Sequence, residues 1–113
     1  MQIHELRSRL LKEVSKRVIE WQEVFELYVE EVCGSGLVRE LYLIGSRARG
    51  EHSSSSDFDL LAVVSREEDP LEVAERLRSL RKKSFPLDLL ILSEDDLEDP
   101  IYSEMLKDKR RLC

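Results

Sequence analysis

The chain has 113 residues, 42% hydrophobic and 37% charged, with a formal net charge of −6. That length is expected to make one domain with a modest core and no second specificity domain. The acidic balance excludes a face-wide basic surface for duplex nucleic acid, and no apolar run reaches the roughly 18 residues of a membrane span.

In chain order, Gln2 to Cys33 is predicted to be one long helix. Ile3, Leu6, Leu10, Val14, Val18, Trp21, Phe25, Tyr28 and Val32 recur every three or four residues, and no Gly or Pro interrupts them. Gly34-Ser35-Gly36 ends it. Such a helix would be roughly 45 Å long, so part of it is expected to contact a partner or a second copy. Leu37 to Ile44 is predicted to be a strand, as is Asp57 to Ser65, with the serine-rich loop Ser53 to Ser56 before it. Pro70 opens a second helix whose apolar face is Leu71, Val73, Ala74, Leu77 and Leu80, and whose basic end is Arg78 to Lys83. Pro86 introduces a third strand, Leu87 to Leu92. The tail, 93–113, is expected to hold a short helix near Ile101 to Leu106 and a last strand near Arg110 to Cys113. The domain thus divides into a helix over 1–33, a core over 37–92 and the tail.

Strand side chains alternate faces, so Asp57 and Asp59 share one and Phe58 and Leu60 take the other. Two parallel carboxylates repel unless a cation lies between them, and oxygen-only ligands favour Mg²⁺ or Mn²⁺ over zinc. The strand from Asp57 and the strand from Leu87 are joined through a helix, which makes them parallel, so both begin at one end of the sheet. Asp88 then falls beside Asp57 and Asp59. Three such carboxylates suit metal-assisted phosphoryl chemistry, two as ligands and the third as ligand or general base. If the strand before runs antiparallel, Gly45-Ser46 ends at the same place. Gly lets backbone approach a ligand, Ser supplies a hydroxyl, a short helix from Ser46 offers N–H groups, and Arg47 and Arg49 offer positive charge.

The stretch "GSRARGEHSSSSDFDL", Gly-Ser followed after ten residues by Asp-x-Asp, resembles the signature of DNA polymerase β superfamily nucleotidyltransferases, and more narrowly the stand-alone minimal nucleotidyltransferase domains. Asp88 in "PLDLLIL" matches the third carboxylate of that family. The resemblance implies a small mixed α/β (α+β) sheet with helices packed against it. It implies transfer of a nucleoside monophosphate, usually AMP from ATP, with release of pyrophosphate. Asp57, Asp59 and Asp88 would hold Mg²⁺, Asp88 would also activate the acceptor, and Gly45, Ser46 and Arg49 would hold the triphosphate, with Arg47 and Ser56 close enough to join them. Domains of this type typically pair, as antitoxins, with a helical HEPN-type toxin. A docking module without catalysis, or a catalytic subunit needing a separate substrate-binding subunit, are the other functions compatible with it.

Several features take plainer readings. His52 is expected to be an exposed loop residue, and Trp21, Phe25 and Tyr28 to be core or interface. The run "SEDDLED" lacks EF-hand spacing and is expected to be a solvated turn and helix start. Cys33 and Cys113 stand far apart with no CxxC and no signal peptide ahead of them, so reduced thiols in a cytoplasmic protein are expected.

Overall fold

The computed structural model describes residues 21–51 and 56–113, apart from the side chain of Met105. A helix (α1) covers 21–34; the part of the expected long helix before Trp21, and most of the serine loop, lie outside the described residues. Then come β1 (Glu40–Ile44), α2 (Gly45–Arg49), β2 (Phe58–Val64), α3 (Pro70–Ser79), β3 (Leu87–Ser93), a 3-10 turn (Asp96–Glu98), α4 (Pro100–Met105) and β4 (Arg110–Arg111). The described strands form one mixed sheet in the order β3-β2-β1-β4. β1 is antiparallel to β2 and to β4, and β2 is parallel to β3.

β2 is the spine of the fold. Its sequence FDLLAVV is almost wholly apolar because both faces of the strand are covered along most of its length. Phe58, Leu60, Ala62 and Val64 face one layer, packed with Leu41, α1 through Phe25, Tyr28 and Val32, and α3 through Val73 and Leu77. Leu61 and Val63 face the other layer, where Tyr42, Leu92 and Leu106 close a smaller cluster under the 3-10 turn and α4. Asp69 starts α3 by accepting a hydrogen bond from the Leu71 N–H at 3.0 Å, with Pro70 next. Asp99 and Pro100 start α4 in the same way.

β1 begins at Glu40 rather than Leu37. Gly36 turns the chain at a φ of 76°, and Leu37 and Val38 pack against the α1 layer before any ladder forms. Asp57 lies just ahead of β2 rather than inside it.

The cysteine expectation is overturned. Cys33 and Cys113 form a disulfide with their Cα atoms 6.1 Å apart. The last turn of α1 brings Cys33 against the flank of β1, and the chain end returns there too. The Leu41 N–H donates to the Cys113 carbonyl at 3.0 Å, and the Leu112 N–H donates to the Leu41 carbonyl at 2.7 Å. The bond removes the reduced-thiol argument for a cytoplasmic location. No helix among the described residues is long and apolar enough to cross a membrane.

This cross-link closes a separation of 80 residues. Cys33→Ser, or reduction of the parent, should therefore lower unfolding free energy by about 2–4 kcal/mol. Urea unfolding with and without reductant measures the loss, and thiol titration of the native, unreduced protein should find no reactive cysteine.

Candidate active site

The register of β2 settles where the acidic residues meet. Asp59 pairs with Asp88 on the parallel side and with Ile44 on the antiparallel side. Asp59, Asp88 and Ile44 thus form one row across three strands, on the face opposite Phe58 and Leu60. The 3-10 turn and α4 cover the far end of this face and leave the aspartate end open. Asp57 and Asp88 are exposed and Asp59 is half-buried.

The cost of this grouping falls on Asp59. Burial, then the neighbouring charges of Asp88 and Asp57, push its carboxyl above the usual carboxylate range, and Arg47 and Arg49 offset part of the effect. The three carboxylates are within one another's fields, yet among the described residues no three acidic, His or Cys side chains are gathered closely enough to form a finished metal site. An all-carboxylate set at an open face, one member of it desolvated by its neighbours, is nevertheless the chemistry that suits a hard divalent cation.

Gly45 sits directly against Asp59. Its φ is 73°, and a Cβ placed there would stand 3.1 Å from the Asp59 Cγ and still closer to a carboxylate oxygen. Both backbone conformation and space therefore demand glycine. The residue follows directly on β1 and begins α2, so the turn that carries Ser46 starts beside the carboxylates. The Ser46 carbonyl accepts from the Glu51 N–H at 2.9 Å, which closes α2 behind Gly50 at a φ of 74°.

The two arginines of α2 differ. Arg49 is half-exposed and pairs with exposed Glu51 at 3.1 Å, a weak surface contact that leaves it available to an anion. Arg47 turns inward. Its Nε and one Nη donate to the Ser56 carbonyl at 3.2 and 2.9 Å, and its guanidinium carbon lies 3.7 Å from the centre of the Phe58 ring. Below it, Phe58 stacks on Phe25 at 4.4 Å and meets Phe85 edge-on at 5.8 Å. Phe25 and Tyr28 are thus core, as the sequence indicates. The contribution of Phe85 and the inward turn of Arg47 were not foreseen. Strand parity could have hinted at them, since it sends Phe58 away from the aspartates and calls for something to hold it there.

Residues 34–113 match the family described as "Polymerase beta, Nucleotidyltransferase". The chain belongs to that family. A crystal structure of a protein from Sulfolobus solfataricus, assigned provisionally as a nucleotidyltransferase, is 26% identical, with a TM-score of 0.62 over 87% of this chain and 84% of that one. No curated protein matches. The mixed sheet and its helices are accordingly those of a nucleotidyltransferase domain, and the open row of carboxylates lies at the start of its parallel pair, β2 and the edge strand β3.

Two outcomes are expected for this nucleotidyltransferase. Gly45→Ala should cost about 1–3 kcal/mol for the backbone conformation alone, with a further loss from collision with Asp59. Gly50→Ala shares the positive φ but meets open space, so the difference between the two variants in urea unfolding isolates that collision. Asp59→Asn should stabilise the protein near neutral pH. The folded pKa of Asp59 is raised, so its favourable contribution exists below the unfolded value of 3.8 and is lost as pH rises through the folded value. Thermal melts of parent and variant should therefore separate at pH 7, with the variant higher, and converge below pH 3.8.

Proposed function

We propose that this nucleotidyltransferase is Mg²⁺-dependent, moves AMP from ATP to an acceptor hydroxyl, and acts as the antitoxin of an HEPN-type toxin. The observation that carries the reading is the Asp59–Asp88 register pair with Gly45 packed against it. Its support is family membership together with the likeness of Gly45-Ser46, Asp57-x-Asp59 and Asp88 to the minimal nucleotidyltransferase signature.

Asp57 and Asp59, with Asp88, would hold the divalent cation, which when bound supplies positive charge to the phosphates and to the developing charge of transfer. Asp88, exposed at the edge strand, would accept the acceptor hydroxyl proton. That hydroxyl oxygen forms the new bond to the α-phosphorus, the bond from that phosphorus to the β-bridging oxygen breaks, and pyrophosphate leaves. The Ser46 hydroxyl and the Arg49 guanidinium lie on the α2 turn, where phosphate oxygens would be received.

A second reading, docking without chemistry, draws on one feature. A groove of about 530 Å³ runs between α1 and the end of α3, with Val24, Leu27, Tyr28, Leu80 and Phe85 among its lining, and Leu27 is 62% exposed. A helical toxin seated there would engage the layer opposite the aspartates.

With its toxin partner, Mg²⁺ and ATP labelled on the α-phosphate, the parent should label the partner, and Asp59→Asn should reduce labelling by about 100-fold or more. Equal labelling by parent and variant sinks the catalytic reading. Full neutralisation by the Asp57/Asp59 double Asn variant would transfer the function to the groove.

A further inference from the structure

We propose that Arg47 is the positioning residue of the carboxylate site: it fixes the segment from Ser56 to Asp59 so that Asp57 and Asp59 face outward, and it does not bind the triphosphate. The proposal rests on the reading of these aspartates as cation ligands only for its functional consequence; the structural lock is independent of it.

A guanidinium offers a planar fork of donors and a face that stacks on aromatic rings. Arg47 uses both. The fork closes on the Ser56 carbonyl through two donors at 3.2 and 2.9 Å. The face covers the Phe58 ring at 3.7 Å. Ser56 and Phe58 flank Asp57, so these two contacts hold the residues on both sides of it. Phe58 is pinned from elsewhere too, by the stack on Phe25 at 4.4 Å and by its own N–H, which donates to the Pro86 carbonyl at 2.8 Å. With Phe58 held down, alternation directs Asp59 to the other face, and Asp57, exposed just ahead of the strand, stays within its field. The helix that carries Arg47 also begins at Gly45, packed against Asp59. One short element therefore grips the acidic segment at two points.

The charge of Arg47 acts in the same place. Partial burial lowers its pKa, and Asp57 and Asp59 offset part of that by favouring its ionised form. It is a built-in countercharge for carboxylates that would otherwise repel. Lysine keeps that charge but has neither fork nor stacking face. Methionine keeps length and apolar contact but has no charge. The pair separates the possible roles.

Two readouts test the lock. The first is amide hydrogen exchange without metal. Arg47→Lys and Arg47→Met should lose protection at Phe58, while Tyr42 and Leu61 in the sheet centre keep theirs. Phe58→Leu, which removes the stack but leaves Arg47, should show a smaller loss at the same amide. Equal loss everywhere would make Arg47 a general stabiliser and overturn the proposal, as would unchanged protection at Phe58. The second readout is free Mn²⁺ by electron paramagnetic resonance. Both Arg47 variants should bind Mn²⁺ about 10- to 100-fold more weakly than the parent. A countercharge with no positioning role predicts the opposite for Arg47→Met, tighter Mn²⁺ binding, and that result would overturn the proposal. So would a raised ATP KM with Mn²⁺ affinity unchanged, the mark of a triphosphate ligand. A parent that takes up no Mn²⁺ overturns the cation reading of Asp57 and Asp59, and the exchange data then decide the lock alone.

Discussion

The alternation of β2 is the constraint on which the rest depends. A strand with both faces covered can be apolar throughout, yet this one carries a carboxylate, Asp59, in its second place, with Asp57 just ahead of it. Phe58 turns toward α1 and α3, and Asp59 must then turn toward the open face. Because α3 makes β2 and β3 parallel, Asp88 arrives beside Asp59 without a special loop. Because β1 is antiparallel, its end arrives there as well and delivers Gly45. Three separate parts of the chain converge on one row through backbone geometry alone. The side chains need only be of the right kind.

That convergence is not favourable in itself. It desolvates Asp59 in the company of two like charges, and it admits only glycine at position 45. Such arrangements are common where binding a ligand matters more than resting stability. The apolar layers beneath offset the cost. Leu60, Leu61, Val63 and Val64 are fully buried, and the aromatic group of Phe25, Phe58 and Phe85 lies under the acidic segment. Phe58 and Asp59 are adjacent on β2, so the buried layer and the acidic row are held by the same strand.

Much of this was legible in the sequence, for physical reasons. The crossover through a helix dictates parallel strands, and counting by twos from Asp57 and Asp88 gives their common face before any coordinates exist. The Gly-Ser spacing locates the turn. Strand ends were less legible, because Leu37 and Val38 are apolar for packing reasons while Gly36 delays the ladder. The disulfide was not legible. Its halves are at opposite ends of the described chain, and only the β1–β4 pairing brings them together. The inward contacts of Arg47 were not legible either. A basic residue between a phosphate-binding turn and an acidic pair suggests an anion, and nothing local shows that its partner is a ring eleven positions on, in the opposite layer.

The stack around Phe58 also bears on how such chains diverge. Phe25, Arg47, Phe58 and Phe85 belong to four different segments, and each of the other three touches the same ring. A change of size or shape at one is felt by all of them, and residues in such contact do not contribute additively. Related sequences should therefore exchange these four positions as a set, and a lone replacement should survive only where a neighbour has already changed to accept it. Position 47 would then drift with the hydrophobic core, although by its chemistry and its place in the motif it would be counted with the polar residues of the site.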